Sequence, residues 1–449
     1  MKMNKLEGFE PNEDACISSC IGTCEKDIYS AGKMEAKTGV NLLERPIEHH
    51  TLTENSFTAR EINLENILNR HQTQLETTTM VKEFPTGGLQ PSDYLRLIES
   101  HIPEELISSQ CFEEIKNLAG NFSGNLTSFF GFESRLNKSD ARSDYLFAIS
   151  ARKGEREALV DLIESDNFTI FRNRPEWQQV AKFAMAWADP HSILHEKVLG
   201  LWFEFDSFDF SSEIPIPNIF LQTTPLRIDT PKDISKCTWI TRDAFPLMTG
   251  QHLSKKMEQR ILRCIQKLPK EASCIHIGVM LSRAKEGVRL VLNRIRPNQI
   301  IPYLESIGWS NDSDELSSLL KELENYVTRI VLHINIGEQI DPKIGLECSF
   351  YPDRYNLEEG WSKFFEYLAE KGLCNQEKKS ALLHYSGVEQ EYINEEFNMN
   401  SYMIATKIPN DVFSHALVRY ISHVKIIYQP NHPLEAKAYP GVRLFGHLQ

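Results

Sequence analysis

The chain has 449 residues, of which 41% are hydrophobic and 25% charged, and this composition predicts a globular protein with one large core or two ordinary ones. The 62 acidic and 49 basic residues give a formal net charge of −13 with no long run of Lys or Arg, which argues against nucleic acid as a partner. No apolar run approaches the roughly 18 to 20 residues of a membrane span, and the N-terminus lacks the pattern of a secretory signal. We therefore expect a cytoplasmic protein without membrane contact.

Residues 1–85 form a poor candidate for a folded domain. They mix Glu, Asn, Thr, Lys and Gly with few aromatic residues and no sustained period, so we predict a largely disordered extension. A short helix over 62–77 is compatible with the pattern, and Pro85-Thr86-Gly87-Gly88 ends the segment as a flexible joint. The folded domain is predicted over 86–449.

Nine cysteines, an odd number, in a chain without an export signal predict reduced thiols. Three of them, Cys16, Cys20 and Cys24, lie four residues apart, and three thiolates so close could bind a metal or a cluster. The spacing fits no zinc ribbon, and paired CxxC elements are absent, so we interpret the group as structural or incidental. We predict no metal and no cofactor.

From residue 91 onward, apolar residues alternate with period two in paired stretches, with helical periods between them. This pattern predicts five β-hairpins, over 126–136 with 145–151, 197–206 with 218–223, 274–282 with 288–294, 330–336 with 344–350, and 402–407 with 423–429, with a further edge at 443–445. Helices are predicted over 92–97, 103–118, 154–164, 175–187, 251–268, 299–307, 313–326, 357–368, 376–383 and 411–420, with a long loop before 251.

Five hairpins give about ten antiparallel strands, and a sheet of that size tends to close because closure removes exposed edges. We therefore predict an α+β fold in which a ten-stranded antiparallel barrel, built from hairpin-plus-helix units, carries its helices outside. The inner face of the strands then lines a lumen wide enough for a ligand. The alternative is two separate α+β domains, each with an open sheet.

If the outer face of each strand is the one rich in Ile, Leu and Val, polar side chains converge inside, as a small-molecule site requires. The predicted inner residues include Glu133, Trp202, Glu204, Asp206, His276, Arg289, Asn293, His333, Asn335 and Glu347. Burial beside a Trp would raise the pKa of a Glu and make it a general base or acid. His276 and His333 could shuttle protons or join Glu347 in binding a metal. The alternative is that these groups hydrogen-bond one another across a solvated sheet face.

Three local features carry a resemblance to a known family. Phe132-Glu133-Ser134 lies on an early strand, Arg289 lies in VRLVLN of the third hairpin, and residues 336–372 run from a turn with Pro to a helix with paired Phe and a closing Gly. The layout resembles the prenyltransferase barrel of the dimethylallyltryptophan synthase family and its bacterial relatives. The resemblance implies a barrel enzyme in which Glu133 receives a proton from an aromatic substrate.

In that family, Lys, Arg and Tyr side chains on several strands hold the diphosphate of the prenyl donor. Here Arg289 is retained, but Val291 and Asn293 stand where Lys and Tyr would be, and Gly345 and Glu347 stand in the next unit. A lumen carrying several carboxylates would repel a diphosphate. We therefore expect either a different mode of donor binding or another use of the barrel.

Two hypotheses follow from these observations. In the first, the chain transfers an isoprenoid group from a diphosphate donor to an aromatic or peptide acceptor in natural-product biosynthesis. Its candidate catalytic residues are Glu133, Glu204 and Glu347, and its candidate substrate-binding residues are Trp202, His276, Arg289, Asn293, His333, Lys425 and Tyr428. In the second, a non-catalytic barrel binds a small-molecule or peptide ligand as a partner in a biosynthetic pathway. The sequence leaves the acceptor, the prenyl length and the oligomeric state open.

Overall fold

A computed structural model describes residues 90–122, 126–152, 154–210, 214–283, 287–351, 357–392 and 413–446. All of them belong to one compact unit within Thr53–Gln449. The predicted N-terminal extension, with its helix at 62–77 and its three closely spaced cysteines, lies outside the described residues, and so does the predicted strand at 402–407.

Eleven strands form one antiparallel sheet. They are β1 Phe129–Arg135, β2 Ser143–Ser150, β3 Val198–Phe205, β4 Asn218–Leu226, β5 Ser273–Val279, β6 Val288–Asn293, β7 Arg329–Ile336, β8 Ile340–Ser349, β9 Gly387–Tyr392, β10 Phe413–Tyr428 and β11 Glu435–Gly446. From β1 to β8 each strand pairs with the next, β8 pairs with β10, and β11 pairs with both β10 and β1. Ten strands therefore close into a barrel, as predicted, and β9 pairs with the first half of β10.

The closing strands differ from the prediction. Residues 411–420 were predicted as a helix, but β10 runs through Phe413–Tyr428 and pairs along almost its whole length with β11. The short edge predicted at 443–445 is the end of the 12-residue strand β11. Pairing with β11 and β9 outweighs the local helical pattern, because each paired residue gains ladder hydrogen bonds.

Twelve helices surround the barrel in the part of the chain that the structure describes. They are α1 Pro91–Ile98, α2 Ser109–Ala119, α3 Glu155–Glu164, α4 Pro175–Ala188, α5 Ile193–Lys197, α6 Ile234–Trp239, α7 Phe245–Thr249, α8 Lys255–Gln266, α9 Pro297–Ile307, α10 Asp314–Leu323, α11 Leu357–Glu370 and α12 Gln376–Tyr385. Ser108, Ser254 and Asn375 cap α2, α8 and α12 by accepting hydrogen bonds from backbone N–H groups of the first turn. None of the described helices has the length and apolar character needed to cross a membrane.

The prediction of a long loop before residue 251 is wrong. The segment from Ile234 to Thr249 is helical, with a π-helical turn, Ile240–Ala244, between α6 and α7. Thr230 and Asp233 form a capping box at the entry to this segment. Burial of Trp239 and Met248 against the core stabilises helices too short to form alone.

The two faces of the barrel wall have the predicted division of character. On β7, Ile330, Leu332, Ile334 and Ile336 face outward and belong to the main hydrophobic core with the helices. Burial of each such side chain contributes about 1.5 to 3 kcal/mol to the free energy of folding. The alternate residues of β7, including His333, face the lumen, where their polar atoms meet those of the neighbouring strands.

Glycines on the wall make room for rings in the lumen. A Cβ built on Gly278 would lie 2.4 Å from the ring of Phe220, which is its cross-strand neighbour. A Cβ on Gly441 would lie 3.2 Å from the ring of Phe129 and 3.5 Å from that of Tyr420. The missing side chains of these glycines therefore leave the space that the aromatic rings fill inside the barrel.

Candidate active site in the barrel lumen

Charged and polar side chains from seven strands and one loop converge on a cavity of about 70 Å³ inside the barrel. Its lining includes Glu133, Glu204, Arg283, Arg289, His333, Asn335, Lys343, Gly345, Lys425, Ile427 and Lys437. Five of the predicted site residues are in this set: Glu133, Glu204, Arg289, His333 and Lys425. The structure therefore brings together predicted residues that are up to 292 positions apart in the chain, and residues of the whole lining that are up to 304 apart.

Glu133 is the most heavily paired carboxylate of the cavity. Its side chain is 2% exposed and accepts hydrogen bonds from Lys437 and from the hydroxyl of Tyr439, with the Nζ of Lys425 3.3 Å away. Burial would raise the pKa of Glu133, but the charges of Lys437 and Lys425 and the hydrogen bonds outweigh it and hold the pKa well below its usual range. Glu133 is therefore an ionised carboxylate whose two oxygens already accept hydrogen bonds, and hence a weak base.

Glu204 has the opposite environment. It is buried, and its nearest cation is Arg283, with 3.5 Å between Nη2 and Oε1. Burial raises the pKa of Glu204, and the negative charge of Glu133 raises it further. The guanidinium of Arg283 is shared with Asp206, whose carboxylate it contacts at 2.5 and 3.1 Å. Of the two carboxylates in the cavity, Glu204 is the better proton acceptor.

A carboxylate–imidazole pair lies on β7 and β8. The Nε2 of His333 is 2.5 Å from Oε1 of Glu347, and the Nε2 of His423 is 3.5 Å from the same oxygen. Burial lowers the pKa of His276 and of His423 to about 4, although Glu347 opposes this effect. Burial would raise the pKa of Glu347, but His423, His333 and Lys425 lower it well below its usual range. The carboxylate is therefore ionised and the histidines are neutral at pH 7.

The alternative in which His276 and His333 join Glu347 in binding a metal finds no support within the described residues, where no group of three or more His, Cys, Asp or Glu could hold a metal ion. His333 and Glu347 meet as a hydrogen-bonded pair, and His276 lies on β5 outside the cavity lining.

The balance of charge differs from the one expected from the sequence. Arg283, Lys343 and Lys437 were not predicted, and all three line the cavity. Arg289 donates from Nε to the neutral Asn335 at 2.9 Å, with its guanidinium carbon 5.9 Å from the centre of the ring of Phe220. Neither Arg289 nor Lys343 forms an ion pair with a carboxylate of the described chain. Lysines and arginines therefore outnumber the carboxylates of the cavity lining, and they neutralise Glu133 and Asp206.

The lining residues that were not predicted differ in whether a sequence pattern could have identified them. Lys343 has the parity of Glu347 on β8, so extending that strand by one alternation would have found it. Lys437 and Tyr439 lie on β11, most of which was not assigned to a strand. Arg283 follows β5 in a turn, and no periodic pattern predicts its direction.

The remaining predicted residues lie away from the cavity. Trp202 contacts Phe129 edge to face, with ring centroids 5.0 Å apart, on the inner wall. Asn293 accepts a hydrogen bond from Arg329 at 3.4 Å. Tyr428 was predicted to face the lumen, which is wrong: it pairs with Ile344, lies in the core shared with the helices, and has its pKa raised by burial and by Glu315 of α10. Lys425 is three residues away and faces inward, so the two cannot share a face.

Fold and site together define a ten-stranded antiparallel barrel with outer helices and a charged lumen. This confirms the predicted resemblance to the prenyltransferase barrel at the level of architecture. No protein-family model matches the sequence, and no curated protein matches it.

Solved structures with a similar fold are known. The chain is similar to 5-dimethylallyltryptophan synthase from Streptomyces coelicolor, with 11% identity and a TM-score of 0.44 over 79% of this chain and 97% of that one. It is similar to PriB in a binary complex with product diphosphate, with 11% identity and a TM-score of 0.45 over 77% and 95% of the two chains. It is also similar to 6-dimethylallyltryptophan synthase from Micromonospora olivasterospora in complex with DMASPP and Trp, with 12% identity and a TM-score of 0.46 over 78% and 97%. At these values the likeness concerns the fold alone.

Proposed function

We propose that this chain is an enzyme that transfers an isoprenoid group from a diphosphate donor to an aromatic or peptide acceptor. The observation that carries the proposal is the presence of Arg289 and Lys343 in one lumenal cavity, each without a carboxylate partner in the described chain. Both side chains are half-buried, and an anionic ligand in the cavity would supply the opposite charge that they lack. A role in natural-product biosynthesis and a cytoplasmic location belong to the same proposal.

A diphosphate suits this group of cations better than a carboxylate does. Arg289 and Lys343 come from different strands, and Lys425 lines the same cavity. A diphosphate presents several oxygens to several donors at once and carries two to three negative charges, whereas a carboxylate presents two oxygens and one charge. Stabilising the charge that develops on a leaving diphosphate is the main electrostatic task of such an enzyme.

Glu204 is the proposed general base. Its raised pKa and its place on the cavity allow it to accept the proton that the acceptor loses as the new bond forms. Glu133 instead fixes Lys425, Lys437 and Tyr439 in position. This assignment reverses the role that the family resemblance implied for Glu133.

Calorimetric binding of dimethylallyl and geranyl thiolodiphosphate, two unreactive donor mimics, tests the donor site. We expect micromolar binding that Arg289→Ala weakens tenfold or more, about 1.4 kcal/mol, and that Arg289→Lys weakens less. Arg329→Ala is the matched control, because Arg329 starts the next strand and does not line the cavity. Absence of binding by either mimic, or equal losses in Arg289→Ala and Arg329→Ala, would contradict the donor site.

A second candidate function is a non-catalytic barrel that binds a small-molecule or peptide ligand. The observation that favours it is that Glu133, the carboxylate that the family resemblance implies as the proton acceptor, is already engaged by Lys425, Lys437 and Tyr439. Incubation with dimethylallyl diphosphate and a panel of indoles, phenols and short peptides separates the two functions. Release of diphosphate that depends on an acceptor and disappears in Glu204→Gln supports the enzyme, whereas donor binding without turnover supports the binding protein.

A further inference from the structure

His333 occupies the junction between the cationic cavity and Glu347. Its ring lines the cavity together with Arg289, Lys343 and Lys425. Gly345 stands directly across from it on β8, and a Cβ there would come within 3.2 Å of the Cβ of His333 and 3.3 Å of the Cδ of Lys425. The glycine thus leaves the space in which the imidazole and the lysine lie side by side.

The hydrogen bond to Glu347 determines the tautomer of His333. A carboxylate only accepts, so the Nε2 of the neutral ring carries the proton and donates it to Oε1 at 2.5 Å. Nδ1 is therefore a bare acceptor, and it is buried without a hydrogen-bond partner among the residues that the structure describes. A buried polar atom without a partner is unfavourable, and protonation would turn this one into a donor.

Several charged and titratable groups determine whether the ring can hold a second proton. The groups around it are Glu347 and Lys343 on β8, Lys425 and His423 on β10, Arg289 on β6 and His276 on β5. Burial lowers the pKa of His333, Glu347 opposes this, and Lys425 and Arg289 lower the pKa further. An anion bound to these cations would cancel their repulsion, and Glu347 already provides the counter-charge for an imidazolium.

We propose that His333 takes up one proton from solvent when a diphosphate group occupies the cavity, and that its Nδ1–H then donates a hydrogen bond to a phosphate oxygen. This inference rests on the proposed function. It adds His333 to the anion site as a hydrogen-bond donor that is protonated when the anion binds. No bond other than N–H forms or breaks, and the proton comes from water or buffer. Glu347 acts as a positioning residue, because it holds the ring by Nε2 and leaves Nδ1 for the ligand.

The test is calorimetric titration of inorganic diphosphate into the full chain at pH 7, in two buffers with different ionisation enthalpies, which gives the number of protons exchanged. The ligand changes its own protonation on binding, so the quantity of interest is the difference between parent and variant. His333→Gln keeps a donor for Glu347 but cannot titrate, and His276→Gln is the matched control at a buried histidine that does not line the cavity. We expect the parent and His276→Gln to take up close to one proton more than His333→Gln.

The pH dependence supplies a second readout. Because proton uptake accompanies binding, the affinity of the parent for diphosphate should fall as the pH rises. Per pH unit, this fall should exceed that of His333→Gln by up to tenfold. A ¹⁵N-histidine spectrum of the parent with diphosphate should show one Nδ1 resonance moving to its protonated position, which keeps the test open if a variant misfolds. Binding with equal proton numbers in parent and His333→Gln, and no such shift, would overturn this inference and leave the donor site intact. Absence of diphosphate binding would contradict both.

Discussion

Replacing Glu133 by Gln should strongly destabilise the fold, because Glu133 is the counter-ion of the buried Lys425 and of the half-buried Lys437. Its side chain is 2% exposed, that of Lys425 is 9% and that of Lys437 is 14%, so solvent screens these contacts little. Glutamine keeps the volume and one acceptor but removes the charge. Breaking a buried ion pair from one side costs about 3 to 5 kcal/mol, a large part of the 5 to 15 kcal/mol that holds a typical domain together.

Urea unfolding followed by circular dichroism measures this change at pH 7. The matched control is Glu157→Gln, because Glu157 pairs with Arg156 at 2.9 Å but is 55% exposed, and exposed pairs contribute at most about 1 kcal/mol. Lys437→Met added to Glu133→Gln should recover part of the loss, since it removes one of the two unpaired charges.

The pH dependence follows from the depressed pKa of Glu133. The pKa of Glu in an unfolded chain is about 4.3. The stabilisation is therefore fully present above that pH, and it is lost as the pH falls through the lower pKa of Glu133 in the folded chain. The difference between parent and Glu133→Gln should therefore be largest at neutral pH and shrink in acid. If Glu133→Gln and Glu157→Gln lose the same small free energy, the reasoning from burial and pairing is wrong.

Three further predictions concern single residues of the lumen. Glu204→Gln should leave binding of the donor mimics unchanged and abolish turnover, and the parent rate should rise with pH through the raised pKa of Glu204, measured as a pH–rate profile. Gly345→Ala should weaken diphosphate binding several-fold without unfolding the chain, because the new methyl would lie 3.2 Å from the Cβ of His333; calorimetry beside circular dichroism tests this, and an unaltered affinity would count against the close packing. Gly278→Ala should cost about 1 to 3 kcal/mol by overpacking against the ring of Phe220, and Phe220→Leu should relieve much of the loss in thermal unfolding.

Local periodicity was sufficient for much of the barrel. Alternation along β7 and β8 correctly predicted that Ile330 to Ile336 and Ile344 to Cys348 face outward, because a strand places successive side chains on opposite faces whatever its partner is. The same parity correctly predicted that Glu133, Glu204, Arg289 and His333 line one lumen. The prediction for Tyr428 was wrong because it departed from this parity: Lys425 and Tyr428 are three residues apart in one strand and were both assigned to the lumen.

Near neighbours in the chain were enough to specify the first four hairpins, the outer apolar face and most of the lumenal side chains. The assignment of 413–420 to a strand required the tertiary structure, because pairing with β11 holds that strand in place. Only the tertiary structure gave Glu133 and Glu204 opposite environments as well. Their difference depends on Lys437 and Tyr439, more than 300 residues away from Glu133 along the chain, and no local pattern carries the distance between such groups.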